Sequence, residues 1–226
     1  MLSRIRHDEG GFLLIEAIVA MALLGIAFAL FAEFSSMMTN RNATLSRQAY
    51  LSSQARAAID MFSDDVEGAM CNGTGSSGTQ PITNATASSI TFTSPDRQQP
   101  YHLRQITYTL TKGALYRQEA DSTNTGGPPW TMGATSKAAL MVDSVQNTTL
   151  FHYYSSAYNP ANPSASDLGA PGTTTSTLRK ILRVSVTLTT TPTASHGTGS
   201  LTTQGQATLM GWLTAPTDTS GVPVCP

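Results

Sequence analysis

The stretch from Gly10 to Phe34, GGFLLIEAIVAMALLGIAFALFAEF, constrains the fold more than any other part of the chain. Between Phe12 and Ala32 its one charged residue is Glu16. At a rise of about 1.5 Å per residue, a helix of that length crosses a hydrocarbon layer of about 30 Å. An ionisable group within such a layer costs several kcal/mol unless a partner meets it. The fold must therefore hold a lipid-length apolar helix and give the acid inside it something to do.

Three readings compete. A secretory signal has a shorter apolar core followed by a small-residue cleavage site. Here the apolar run passes without a break into a polar helical pattern. A plain signal anchor fits the length but leaves Glu16 unexplained. Arg4 and Arg6 precede the run, beside His7, Asp8 and Glu9, and no Lys or Arg follows until Arg41. That asymmetry places the N-terminus in the cytoplasm and the rest of the chain outside.

The third reading explains the acid. GGFLLIEAIVAM resembles the prepilin (type III) signal of type IV pilins and their relatives. The resemblance implies cleavage by prepilin peptidase between Gly11 and Phe12, N-methylation of Phe12, and an assembly role for Glu16 as the fifth mature residue. MLSRIRHDEGG would be the leader; its acidic Asp8 and Glu9 are less typical of the family. The new amine on Phe12 of one subunit could then meet Glu16 of the next. That pairing would satisfy two charges that are each costly in lipid and would set the axial register.

Helical patterning continues past Phe34. Leu45, Ser52, Ala55, Ile59, Phe62, Val66 and Ala69 recur at three- and four-residue steps or their multiples, and no proline occurs before Pro81. The expectation is one helix from about Phe12 to Met70, with Gly25 as its soft point. Its stripe of Ile59, Phe62 and Val66 should cover a sheet. Asp64, Asp65 and Glu67 read as a solvated helix face, since their spacing does not converge on one ion. Gly73, Gly75 and Gly78 match G-x-G-x-x-G, but a helix precedes them and Pro81 follows. A dinucleotide site needs a strand before and a helix after, so a flexible loop is expected over CNGTGSSGTQPITNATASS.

The period then becomes two. Ile90 and Phe92 share one face of SITFT, and Ile106, Tyr108 and Leu110 share one face of QITYTLT. Lys112-Gly113 reads as a tight turn into ALYRQ. Further strands are expected at Ala139 to Val142, at Thr148 to Tyr154, over ILRVSVTLT and over QATLMGWLT. In ILRVSVTLT, Leu182, Val184, Val186 and Leu188 should face inward and Arg183, Ser185 and Thr187 outward. Ala120 to Lys137, Ser155 to Thr177 and Thr189 to Gly205 read as long loops. This order resembles that of PilW-type minor pilins and J-type pseudopilins, through QARAAIDMFSDDVEGAM, ITYTLTKGALYRQ and LMVDSVQNTTLFHYY.

Charged residues make up 12% of the chain and the net charge is −1. The charged share is about half the usual ~25%, which argues against a direct nucleic-acid partner. Cys71 and Cys225 admit two readings: free thiols in a reducing compartment, or a disulfide in an oxidising one. A bond would close a loop worth roughly 4 to 5 kcal/mol of unfolded-chain entropy.

His7, His102, His152 and His196 share no motif, and no metal-ligand spacing, phosphate loop or nucleophile elbow occurs. The N-x-[ST] triplets at Asn42, Asn72, Asn84 and Asn147 are no more than so Thr-rich a chain produces by chance. Trp130 in GGPPWTMG either tucks under its own loop or meets another subunit.

The expected fold is α+β: a long N-terminal helix, its first half transmembrane, packed on an antiparallel β-sheet, as in pilins. The expected divisions are a leader at 1–11, a transmembrane half-helix at 12–34, an exported amphipathic half at 35–70 and a β-rich head at 71–226. The expected role is a non-enzymatic minor pilin without cofactor or metal. It would be anchored once in a bacterial inner membrane, then built into a pilus. Its partners by resemblance are other pilins or pseudopilins, prepilin peptidase, an assembly platform and its ATPase. The alternatives are a J-like pseudopilin of a type II secretion or DNA-uptake system, and a membrane-anchored extracytoplasmic binding domain or enzyme.

Overall fold

The computed structural model describes residues 10–73, 79–96, 102–124, 127–155, 166–191, 199–217 and 225, with the backbone alone over 10–13. The chain divides into two compact units, Met1–Ser46 and Arg47–Pro226.

The described part of the first unit is helical throughout and belongs to α1 (Gly10–Glu67). Ala, Leu, Phe and Ile dominate its apolar stretch, and Ala and Leu are strong helix formers. The helix runs through Gly25 without a break, although that residue was the expected soft point. Where the sequence turns polar, hydroxyls bond back to the preceding turn: Thr39 Oγ1 donates to the Ser35 carbonyl at 2.9 Å and Thr44 Oγ1 to Asn40 at 3.0 Å.

In the second unit α1 ends at Glu67, three residues short of the expected Met70. The chain there joins a strand instead of continuing the helix. The Met70 amide donates to the Thr93 carbonyl at 2.9 Å, and Thr93 Oγ1 returns a hydrogen bond to the Met70 carbonyl.

Eight strands follow among the described residues. β1 (Ile82–Ala85), β2 (Ser89–Pro95), β3 (Leu103–Thr111), β4 (Ala114–Asp121) and β5 (Ala139–Val142) form one antiparallel sheet in chain order. β6 (Phe151–Tyr154), β7 (Arg183–Thr190) and β8 (Leu201–Thr208) form a second. The expected single sheet is thus two. The chain leaves the first after β5, and the Val145↔Thr190 bridge links this connection to β7. A long helix on antiparallel sheet is the α+β arrangement expected.

Lys112 and Gly113 take positive φ, 52° and 72°, the conformation of a two-residue hairpin turn that matches strand twist. That turn places Tyr108 opposite Arg117 and Leu110 opposite Leu115.

Phe62 of α1 is the hub of the core. Its ring lies 5.2 Å from Tyr108 of β3, edge to face, and 5.5 Å from Phe151 of β6. One helical residue therefore fastens both sheets, and burying such a side chain stabilises by roughly 1.5–3 kcal/mol. Ala55, Ile59, Val66 and Ala69 of the expected stripe are buried with it, as are Leu51 and Ala58. Leu45 is exposed, contrary to the stripe drawn through it. The Tyr153 hydroxyl donates to the Thr86 carbonyl at 2.7 Å, tying the second sheet to the β1–β2 turn.

Other expectations shift as well. β1 occupies part of the expected loop, because Ile82 and Ala85 bury against the core while Asn84 pairs with Thr91. The last strand, Leu201–Thr208, begins inside the expected Thr189 to Gly205 loop and takes in Gln206 to Thr208 of the strand expected at QATLMGWLT. Much of QATLMGWLT is a helical turn, α3 (Met210–Leu213), which buries Trp212. Only the end of the expected loop at Ser155 to Thr177 differs: Thr175 to Thr177 belong to another short helix, α2 (Thr175–Leu178).

Cys71 and Cys225 are joined by a disulfide across a separation of 154 residues. A loop that long corresponds to about 5 kcal/mol in the chain-entropy treatment.

Candidate functional site

The apolar part of α1 carries the residues singled out in the sequence. Every residue from Leu14 to Ala43 is exposed. At about 1.5 Å per residue, Leu14 to Phe34 extends about 31 Å, the thickness of a bilayer's hydrocarbon core. Its mean hydropathy reaches 2.5 and none of it is buried, so it is long and apolar enough to cross a membrane. An uncovered apolar surface of this extent marks a site of membrane or protein contact.

Glu16 projects from this surface. It is exposed, and its described neighbours Leu14, Ile15, Ile18 and Val19 are apolar and each more than half exposed. Gly11 and Phe12 lie in the helical backbone of α1; their side chains are outside the described residues, as is most of the expected leader. A carboxylate so surrounded gains most from a cation that arrives when the helix is covered by other helices or lipid.

The second unit contains an arrangement the sequence reading missed. The spacing puts Asp65 on a solvated face with Asp64 and Glu67, but its side chain is 11% exposed and bonded to the sheet. Asp65 Oδ2 accepts from the Tyr108 hydroxyl at 2.7 Å and from Arg117 Nε at 2.9 Å. Arg117 also pairs with Glu119, which accepts from Arg104 at 3.3 Å. Asp64 and Glu67 are exposed. Burial first, then the Asp65 charge and hydrogen bond, push the Tyr108 phenol well above its ordinary range. Burial works to lower Arg117, but its hydrogen bond to Asp65 and the neighbouring charges outweigh this and raise it. Tyr153 is raised by burial. The cluster clasps α1 to β3 and β4, and its charges satisfy one another. Its signal was present in the sequence: a two-residue turn at Lys112-Gly113 puts Tyr108 directly across from Arg117.

Asn72 and Asn147, given no role from the sequence, hold loops in place. The Asn72 carboxamide bonds the Trp130 backbone twice, accepting from its N–H at 2.7 Å and donating to its carbonyl at 2.9 Å. The half-buried Trp130 ring lines a cleft with Met70, Pro128 and Trp212. The Asn147 carboxamide accepts from the Thr189 amide and donates to the Thr187 carbonyl, each at 2.8 Å.

His152 approaches Asp167 at 4.0 Å, and His102 lies elsewhere, at the start of β3. His7 and His196 are outside the described residues, as are Gly75 and Gly78. Among the described residues no three His, Cys, Asp or Glu side chains are placed to hold a metal ion.

No family model matches the chain, and no curated protein is significantly similar to it in sequence.

Proposed function

We propose that this chain is a filament subunit, a minor pilin that helps to initiate or cap a type IV pilus. The observation that carries this reading is the apolar helix over Leu14–Phe34, exposed along its length, with Glu16 projecting from it. Lipid alone would cover the apolar residues but would penalise the carboxylate. A bundle of like helices would cover the apolar residues and could supply a cation.

Prepilin peptidase removes the leader between Gly11 and Phe12 and methylates Phe12. The subunit waits in the bacterial inner membrane, its N-terminus at the cytoplasmic side and its β-rich head outside. The assembly platform and its ATPase then move the helix sideways into the bundle, where Glu16 meets the Phe12 amine of a neighbour. The head performs no chemistry; the protein acts by occupying a place in the filament. A J-type pseudopilin would use the same helix in the same way.

The test is Glu16→Ala expressed in the native host in place of the wild-type protein. The variant should lose its leader at the wild-type rate, yet be missing from filaments sheared off the cell surface. A membrane-anchored binding domain or enzyme would be indifferent to the change. Glu16→Ala recovered in sheared filaments at the wild-type level would overturn the reading.

A further inference from the structure

We propose that the outer face of the β6–β7–β8 sheet is a saccharide-binding site. The pairings His152↔Ser185, Tyr154↔Arg183, Ser185↔Gln206 and Thr187↔Gln204 put these residues on one face. The opposite face holds Phe151, Tyr153, Val184, Val186 and Leu188, all buried in the core. Strict alternation thus separates an apolar inner face from an outer one built of amides, hydroxyls, an imidazole, a phenol and a guanidinium. These outer side chains line a groove of about 470 Å³, within the range of about 300–1,000 Å³ usual for ligand sites.

The groove has a fixed part. Arg183 was expected to point to solvent, but it is 3% exposed. Its guanidinium lies 3.8 Å from the centre of the Tyr154 ring, and its Nη1 donates to Gln206 Oε1 at 3.1 Å. Stacking and hydrogen bonding hold the group before any ligand arrives, which lowers the ordering cost of binding.

The chemistry of the lining selects the ligand class. An apolar ligand would strand the amides and hydroxyls, and leaving buried polar groups unpaired costs more than the contacts return. A polyanion would find one buried guanidinium, with the Asp167 carboxylate 4.0 Å from His152 at the rim. A saccharide matches the site, because its hydroxyls both donate and accept, as do carboxamides, Ser and Thr. Strands about 4.8 Å apart, with same-face side chains about 6.8 Å apart along each, space these groups on the scale of a pyranose ring. The site lies wholly within the second unit and does not depend on the filament reading.

Saturation-transfer NMR on the full chain tests this, in lauryldimethylamine oxide micelles whose headgroup carries no sugar. The probes are cellohexaose, which is neutral, and hexagalacturonate, which is acidic, each at millimolar concentration. Transfer to cellohexaose is expected, with affinity about tenfold or more lower in Gln204→Ala/Gln206→Ala, since two lost hydrogen bonds suffice for that change. Ser185→Ala should weaken binding in the same direction and should melt as the wild type does, which separates lost binding from the stability lost when Gln206 no longer accepts from Arg183. Transfer to hexagalacturonate and not to cellohexaose would overturn the proposal, because the lining offers a polyanion one guanidinium that already has partners and a carboxylate at the rim. No transfer to cellohexaose, or equal transfer in the variants, overturns the proposal.

Discussion

Replacing Asp65 by Ala tests whether the helix is clasped to the sheet by charge as well as by apolar packing. Asp65 Oδ2 holds two partners, the Tyr108 hydroxyl at 2.7 Å and Arg117 Nε at 2.9 Å. Removing one member of a buried ion pair costs about 3–5 kcal/mol, chiefly because the other charge is left uncompensated. Glu119 remains beside Arg117, so the loss should fall at the low end, about 3 kcal/mol. For a domain of about 150–250 residues each kcal/mol lowers Tm by about 2–4 °C, which gives a fall of about 6–12 °C. Asp65→Asn keeps an oxygen acceptor for both donors and should lose about half as much. The assay is thermal unfolding of the full chain in detergent, followed by near-UV circular dichroism on the buried tyrosines. Asp65→Ala/Arg117→Leu should recover stability relative to Asp65→Ala, because no charge is then stranded. A melting temperature for Asp65→Ala within about 2 °C of wild type, or a double variant whose loss equals the sum of the single losses, would refute the clasp.

Two further predictions follow from close approach and from burial. A Cβ on Gly205 would fall well inside van der Waals contact with Ile59 Cγ2, so Gly205→Ala should destabilise by about 1–3 kcal/mol in urea unfolding. Ile59→Ala introduced beside it should return part of that loss; full wild-type stability in Gly205→Ala alone would contradict the packing. Tyr108 and Tyr153 are held well above their ordinary value of 10.0 in the fold. Above that pH the unfolded chain sheds their protons and the native state keeps them. Stability should therefore fall as pH rises past about 10, by up to about 1.4 kcal/mol per pH unit for each tyrosine. Urea unfolding of Tyr108→Phe should show about half that slope, and an unchanged slope would contradict the assignment.

Much of the architecture was legible wherever one physical requirement dominated. The apolar run had to be a helix because its backbone polar groups could be satisfied in lipid only within the segment. The β3–β4 hairpin was legible because Lys112-Gly113 suits a two-residue turn and the flanking residues alternate. Reading failed where tertiary context overrode local pattern. β1 carries Asn84 and Ala85 in a Ser- and Thr-rich stretch, and only pairing with β2 makes it a strand. Thr202, Thr203 and Gln204 resemble a loop, yet they complete a sheet whose inner face is supplied by β6 and β7. Trp212 reads as a strand residue beside Leu209, but its indole N–H donates to the Arg179 carbonyl at 2.9 Å, which a helical turn permits. Asp65 looked solvated because the residues that pair with it, Tyr108 and Arg117, lie more than forty positions away. Arg183 follows the expected alternation but not the expected exposure; its guanidinium stacks on Tyr154 and bonds Gln206 of the neighbouring strands. Glu16 stands out by position alone as a lone acid in an apolar helix, and the structure leaves it exposed there.

The central claim is that the apolar helix becomes a polymer part once a new amine is created at Phe12. Intact-mass and N-terminal peptide mass spectrometry of the protein from its native host tests this most directly. The account predicts a mature chain beginning at Phe12 and carrying one methyl group on its terminal nitrogen. A chain that retains Met1 to Gly11, or that begins beyond the apolar run, would contradict it.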